Sequence, residues 1–262
     1  MSYGALLSCV PGRCSVFKSF LPGMANPFYD PGEQRASKVN QLFARIAPRY
    51  DLLNDVQSLG CHRVWKRKLL ALARPQAGER ALDICCGTGD LALGLSRHGL
   101  EVVGLDFNHE MLEVARRRIA SSRAQPPPRL VQGDAQQLPF PDSSFEIVTV
   151  GYGLRNLTNW QTGLNEMLRV ARAGGRVLVL DFGKPPNPVL RSLYFAYLRI
   201  VVPLLGLLFC GNAHAYSYIL ESLKHYPAQE GVAQAMRKLG MKQVTFVNIL
   251  GGIMSINYGE KA

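Results

Sequence analysis

The chain has no Cys-x-x-Cys pair and no His/Cys grouping at zinc-ligand spacing, so a zinc finger or a thioredoxin-type redox motif is excluded and no metal site is expected. Its six cysteines, Cys9, Cys14, Cys61, Cys85, Cys86 and Cys210, are scattered, which fits a reduced intracellular protein. Acidic residues are scarce: 19 Asp and Glu stand against 30 Lys and Arg, and Met1–Gly23 has none. There is also no apolar run of the ~20 residues that a membrane-spanning helix needs. The best candidate, Leu198–Cys210, is too short and contains Arg199 and Pro203. It suits core, an oligomer contact such as a homodimer, or a patch touching lipid.

The net charge of +11 admits three partners: nucleic acid, an anionic membrane surface, or water alone. The basic residues cluster at Arg63–Lys68, with Trp65 among them, and at Arg116–Arg118. Neither cluster has the aromatic-rich pattern of a common RNA-binding module, so no nucleic-acid partner is expected. Met1–Gly23 lacks the Arg-rich amphipathic pattern of a good targeting segment. Met24 opens Met-Ala-Asn-Pro-Phe-Tyr-Asp, and either methionine suits a start. A flexible extension over 1–36 is expected.

With 262 residues, 47% of them hydrophobic, one α/β domain with additions is expected over 37–262. Within 37–78, Val39, Leu42, Phe43 and Ile46 share a helical face, Pro48 ends it, and a second helix carries Trp65, Leu69, Leu70 and Leu72. Strand patterns at 80–85, 101–106, 129–133, 145–151 and 175–182 alternate with helical ones at 90–98, 109–122 and 160–172 over a core of 79–183. Such alternation implies right-handed βαβ units and a parallel sheet. It stops after Asp181. Residues 184–228 are aromatic and apolar with scattered turn residues, and read as an inserted helical cap. A helix at 229–240 and strands at 242–249 and 252–259, turning at Gly251-Gly252, complete 229–262 as a final helix and antiparallel hairpin.

Ala81–Asp90 (ALDICCGTGD) runs from a buried strand through two glycines into a helix N-terminus. Gly87, Thr88 and Gly89 let the backbone approach a bound ligand closely. Asp106, ending the next strand, is placed to accept hydrogen bonds from ribose hydroxyls. Gly87–Ala92 fits the dinucleotide pattern G-x-G-x-x-G/A, but Asp83 and Asp90 beside the turn would serve a pyrophosphate poorly. A sulfonium with an ammonium group would be well served: Asp83 can orient the loop or reach that ammonium, Asp134 suits the adenine amine, and Ala135 offers backbone. S-adenosylmethionine is therefore preferred over a nicotinamide dinucleotide, with a dehydrogenase the remote alternative.

The chain resembles the ubiquinone/menaquinone biosynthesis C-methyltransferase family from about Val39 to Lys261. The carrying segments are Phe43–Asp51, Ser58–Lys66, the glycine loop, the Asp106 strand, Gly133–Pro141, Gly151–Asn156, Glu166–Val170 with Gly174-Gly175, and Tyr216–Ser222. Gly-Leu-Arg-Asn and Tyr-x-Tyr-x-x-x-Ser are the specific ones. Departures are Cys85-Cys86 for small or polar residues, Gly151-Tyr152 for a small residue and Phe, and Ala171-Arg172-Ala173 for Leu-Lys-Pro. Gly151 thus offers the cofactor only backbone.

The resemblance implies a Rossmann-like class I methyltransferase with a mostly parallel seven-stranded sheet. It implies transfer from S-adenosylmethionine to a ring carbon of a polyprenylated quinol, as in demethylmenaquinol to menaquinol; another lipophilic or phenolic acceptor is the alternative. A sulfonium methyl is electrophilic, so the acceptor must be the electron-rich reduced quinol. Arg155 suits the developing oxyanion, Asn156 the ring hydroxyl. Tyr50 and Asp51 can close over the ring, with Asp51 accepting a proton; His225 is a second candidate base. Tyr50-Asp51 equally suits a turn, and His62, in a basic run, reads as solvated. Tyr194, Phe195, Tyr197, Leu198, Leu204, Leu205, Leu207, Leu208 and Phe209 suit an isoprenoid channel or cap core. The expected location is cytoplasmic, at the inner face of the membrane, or an organellar matrix.

Overall fold

A computed structural model describes residue 32 and residues 34–210 and 214–262, with the side chains of 205–217 left aside. The expectations for Met1–Gly23, Cys9 and Cys14, and for the side chains of Leu205, Leu207, Leu208, Phe209, Cys210, Tyr216 and Ser217, lie outside the described residues.

Among the described residues three helices come first: α1 (Arg35–Ile46), α2 (Tyr50–Ser58) and α3 (Cys61–Ala73). Arg35 and Ala36, expected in the extension, are instead the first turn of α1, because Arg35 is buried and its Nη2 donates to the Arg155 carbonyl at 2.6 Å. Pro48 cannot continue the helical hydrogen bonding, and Ala47–Arg49 tightens into a 3-10 turn. Tyr50-Asp51 is the first turn of α2, not a free turn. Leu59 and Gly60, both left-handed at φ 49° and 75°, turn the chain into α3.

Alternation then builds β1 (Arg80–Ile84), α4 (Asp90–Ser96), β2 (Glu101–Asp106), α5 (His109–Ala120), β3 (Arg129–Gln132), β4 (Phe145–Gly151), α6 (Trp160–Val170) and β5 (Ala171–Phe182). Asn108 and Asn159 cap α5 and α6 through their side-chain oxygens. The cap is two helices, α7 (Pro188–Cys210) and α8 (His214–His225). Scattered turn residues had suggested something more broken, yet Pro203 sits inside α7. Then follow α9 (Ala228–Lys238), β6 (Lys242–Ile249) and β7 (Met254–Glu260).

The sheet has seven strands in the order β3-β2-β1-β4-β5-β7-β6, parallel except for β7, which runs antiparallel to both β5 and β6. β1, β2, β4 and β5 are largely buried because helices cover both faces. Two boundaries differ from expectation. Ala171 was placed in a helix but pairs with Phe145, so tertiary pairing extends β5 backwards across an irregularity. The last turn is a 3-10 segment, Leu250–Gly252, and β7 starts at Met254 rather than at Gly252.

Strand order reverses between β1 and β4. Loops leaving their carboxyl ends diverge there and open a crevice, the usual ligand position in such sheets.

Candidate functional site

The β1–α4 loop is shaped by Cys85, Gly87 and Gly89 at φ 50°, 54° and 82°. Glycine suits such angles without strain. The Gly87 N–H donates to Asp106 Oδ2 and the Asn108 N–H to Asp106 Oδ1, both at 2.8 Å. Burial pushes the Asp106 carboxyl above its ordinary value, and these N–H groups oppose that. Thr88 Oγ1 donates to Asp51 Oδ1 at 2.8 Å, and Arg118 reaches Thr88, Asp51 and Asp90. Lys66 completes the set at 2.6 Å from Asp90. Asp51 is therefore a clamp between α2 and the glycine loop.

Beside this loop lies a cavity with about 870 Å³ of empty space. Asp106, Asp134, Ala135, Gly87 and Gly151 line it, with apolar wall from Met111 and Phe107. The Gln136 N–H donates to Asp134 Oδ1 at 2.8 Å. A Cβ on Gly151 would stand 2.8 Å from Leu91, and one on Gly153 2.4 Å from Cys85, so backbone itself forms this wall. Asp83 does not line the cavity. It is buried beneath the loop, accepts from Thr149 Oγ1 at 2.8 Å, and is pushed up to about 7 by burial against the pull of Thr149 and Lys66.

A second cavity of about 940 Å³ opens between α1, α2, α3, α7 and α8. Leu42, Ile46, Leu53, Trp65, Leu198 and Val202 make it largely apolar. Phe43, Tyr50 and Tyr152 line both cavities and form their shared wall. Burial pushes Tyr50 up to about 12, so it stands as a neutral phenol. Tyr152 is held at φ 62°.

Arg155 lines the second cavity, buried, with Nη1 donating to Asp181 Oδ1 at 2.7 Å and to the Tyr152 carbonyl at 2.6 Å. Burial pushes its guanidinium down, the Asp181 carboxylate pulls the other way, and the net direction is up. It stays charged. Asn156 lines the first cavity, donates to the Tyr152 carbonyl at 3.0 Å and accepts from Tyr218 OH at 3.2 Å. The structure thus gathers Tyr50, Arg155 and Asn156 around one wall. Asp51 lines neither cavity, and neither does His225, which is exposed.

His62 reverses expectation. It is 4% exposed and lines the second cavity. The signal was its spacing: His62, Trp65 and Leu69 share one face of α3. Asp181 and Tyr152 were also missed, since neither declares itself before β4 and β5 are paired. Of the channel residues, Tyr194, Tyr197 and Leu198 line the second cavity, Phe195 packs against the core, and Leu204 is exposed. Five buried polar atoms on this cavity's lining residues have no hydrogen-bond partner: Asn54 Nδ2, His62 Nδ1, Tyr152 OH, Arg155 Nε and Tyr194 OH.

Residues 31–261 match the ubiE/COQ5 methyltransferase family. The ubiquinone/menaquinone biosynthesis C-methyltransferase UbiE of Azotobacter vinelandii is 43% identical over 234 residues, covering 88% of this chain and 92% of that one. Its counterpart in Ectopseudomonas mendocina is 42% identical over 88% and 91%. Among solved structures, a possible histamine N-methyltransferase from Thermotoga maritima aligns with a TM-score of 0.61 at 18% identity, over 85% of this chain and 99% of that one. A putative S-adenosylmethionine-dependent methyltransferase from Methanococcus maripaludis gives 0.56 at 18%, over 92% and 98%. These two share the fold.

Proposed function

The chain belongs to the ubiE/COQ5 methyltransferase family, and from that premise we propose how its two cavities divide the work. It is an S-adenosylmethionine-dependent C-methyltransferase of quinone biosynthesis. The first cavity takes the cofactor and the second takes the ring of a polyprenylated quinol. The shared wall of Phe43, Tyr50 and Tyr152 carries this reading, since one ligand can meet the other only across or through it. The whole of 37–262 acts as one methyltransferase domain.

The residues of the first cavity fit the cofactor. Asp106 and Asp134 offer carboxylate oxygens to ribose hydroxyls and the adenine amine, Ala135 offers backbone, and Gly87, Thr88, Gly89 and Gly151 allow close approach. Carboxylates here would repel a pyrophosphate, which disfavours a dinucleotide. Asp83 orients the loop from below. When bound, the cofactor supplies an electrophilic methyl group on sulfur.

In the second cavity Arg155 faces the charge that grows on the ring oxygen, in a water-poor site where such contacts are strongest. Asn156, on the cofactor side, braces the shared wall by donating to the Tyr152 carbonyl, and Tyr50 holds the ring plane in line with the methyl group. Asp51 serves by fixing α2 to the glycine loop. Apolar side chains of α7 house the isoprenoid tail.

No helix among the described residues is long and apolar enough to cross a membrane. Yet Val189, Leu193, Ile200 and Leu204 form an exposed apolar row along α7, with Arg191 and Arg199 on the same helix. A net charge of +11 adds attraction to anionic lipid, about 1 kcal/mol per Lys or Arg near the surface. We read this row as the contact with the inner face of the membrane that holds the substrate.

The test is methyl transfer from labelled S-adenosylmethionine to a short-chain demethylmenaquinol and a demethoxy-type benzoquinol, each reduced and oxidised. Label should enter a quinol and neither quinone. Turnover of an oxidised quinone under non-reducing conditions would overturn the electron-rich acceptor.

A further inference from the structure

We propose that His62, positioned by Asp55, is the base that takes the hydroxyl proton from the acceptor ring. This rests on the second cavity being the acceptor site.

Three observations carry it. His62 lies in the first turn of α3, after the left-handed Leu59-Gly60 turn, and shares with Trp65 the face that lines the cavity. Its Nε2 sits 2.8 Å from Asp55 Oδ1. Arg63 grips the same carboxylate, Nε to Oδ1 at 2.9 Å and Nη2 to Oδ2 at 2.6 Å, and with His62 holds it well below the usual carboxylate range. A carboxylate so held can only accept, so Nε2 must carry a hydrogen. The lone pair of the neutral ring is then on Nδ1. That Nδ1 is buried and has no hydrogen-bond partner.

The charged groups around His62 agree. Burial pushes the imidazole down, Lys66 adds to that, and Asp55 and Asp90 oppose it. The net direction is down, so the ring is neutral near neutral pH. The alternatives are poor. Arg155 is charged and engaged with Asp181. Tyr50, Tyr194 and Tyr218 are hydroxyl donors before they are bases. Asp51 and His225 line neither cavity. Among the described residues lining this cavity, His62 alone offers a neutral basic nitrogen.

The step balances. The hydroxyl proton passes to Nδ1, leaving an imidazolium against Asp55 and a phenolate facing Arg155. As the ring carbon bonds to the methyl group, the sulfur–carbon bond breaks and its electron pair stays on sulfur. The hydrogen on that ring carbon then leaves as a proton to water, its bonding pair restores the aromatic ring, and the oxygen recovers the proton from Nδ1. One proton is released per methyl group transferred.

The test uses the full chain loaded with S-adenosylhomocysteine and 2-naphthol as probe, because its naphtholate absorbs apart from the neutral form. At neutral pH the naphthol bound to the unaltered protein should show the naphtholate band, and a short-chain demethylmenaquinol should displace it. In His62→Gln the band should vanish at saturating probe, and kcat should fall ~100-fold with little change in KM. In Asp55→Asn, which leaves the cavity wall intact, the band and kcat should fall ~10-fold. That second variant keeps the test decisive if His62→Gln folds poorly. An equal band in His62→Gln, or no band with naphthol bound, overturns the role of His62 while the cavity assignment stands. Naphthol that the quinol does not displace, or no naphthol binding, overturns the cavity assignment and the proposal with it.

Discussion

The two cavities share a wall and differ in the state of their polar atoms. In the first, both oxygens of Asp106 already receive backbone N–H groups and Asp134 receives another. These carboxylates are locked by the loops that carry them before any ligand arrives. In the second, five buried polar atoms have no partner, although an unsatisfied buried group costs about 1–3 kcal/mol. On the proposed assignment, the cofactor pocket at the carboxyl ends of β1, β2 and β4 is prebuilt from backbone, while the few polar groups of the acceptor cavity wait for those of the ligand.

The strongest way to break this contrast is to remove the charge pair of the second cavity. Arg155→Met alone leaves Asp181 buried and unpaired, and should cost about 3–5 kcal/mol in chemical denaturation. Adding Asp181→Asn, which removes the buried charge and keeps an acceptor for one of the two N–H groups, of Arg155 and of Phe182, that Asp181 receives, should recover part of that. Methyl transfer should stay down ~10³-fold in the double variant, with S-adenosylhomocysteine affinity unchanged. An active double variant would make Arg155 a structural residue and erase the difference between the cavities.

A smaller effect belongs to the cofactor side. Burial raises Asp83 from 3.8 to about 7 in the folded protein, so the native state binds a proton that the unfolded chain has released. Its contribution to stability is full below pH 3.8 and is lost as pH rises to about 7, each pH unit between the two values being worth about 1.4 kcal/mol. Asp83→Asn should therefore flatten melting temperature against pH over that window and be the more stable form above it. Parallel profiles for the two proteins would count against a neutral Asp83.

The smallest effect sharpens the wall itself. Tyr152→Phe removes a buried hydroxyl with no partner and should raise stability by about 1 kcal/mol. Melting with and without quinol separates the possibilities: if the gain disappears when quinol is present, the hydroxyl finds its partner in the substrate.

Much of this was legible in the chain. The glycines at 87 and 89 with Asp106 announced a nucleoside-binding turn, because positive φ and a strand-end carboxylate are local requirements. Alternating strand and helix patterns gave the parallel core, and the closing hairpin was visible. Boundaries were less so: Ala171 looked helical until Phe145 paired with it. His62 looked solvated among basic neighbours, since a one-dimensional charge run does not reveal which face of α3 turns inward.

The sequence by itself determined the βαβ core, the cofactor loop and the family, because these follow from residue type at fixed short spacing. Only the tertiary structure decided that Asp51 joins Thr88 and Arg118, that Arg155 pairs with Asp181, and that His62 lines the second cavity on the arm of Asp55. These roles depend on which groups from α2, α3, β4 and β5 meet in a buried space. Burial sets the strength of their charges and hydrogen bonds, and no spacing along the chain encodes it.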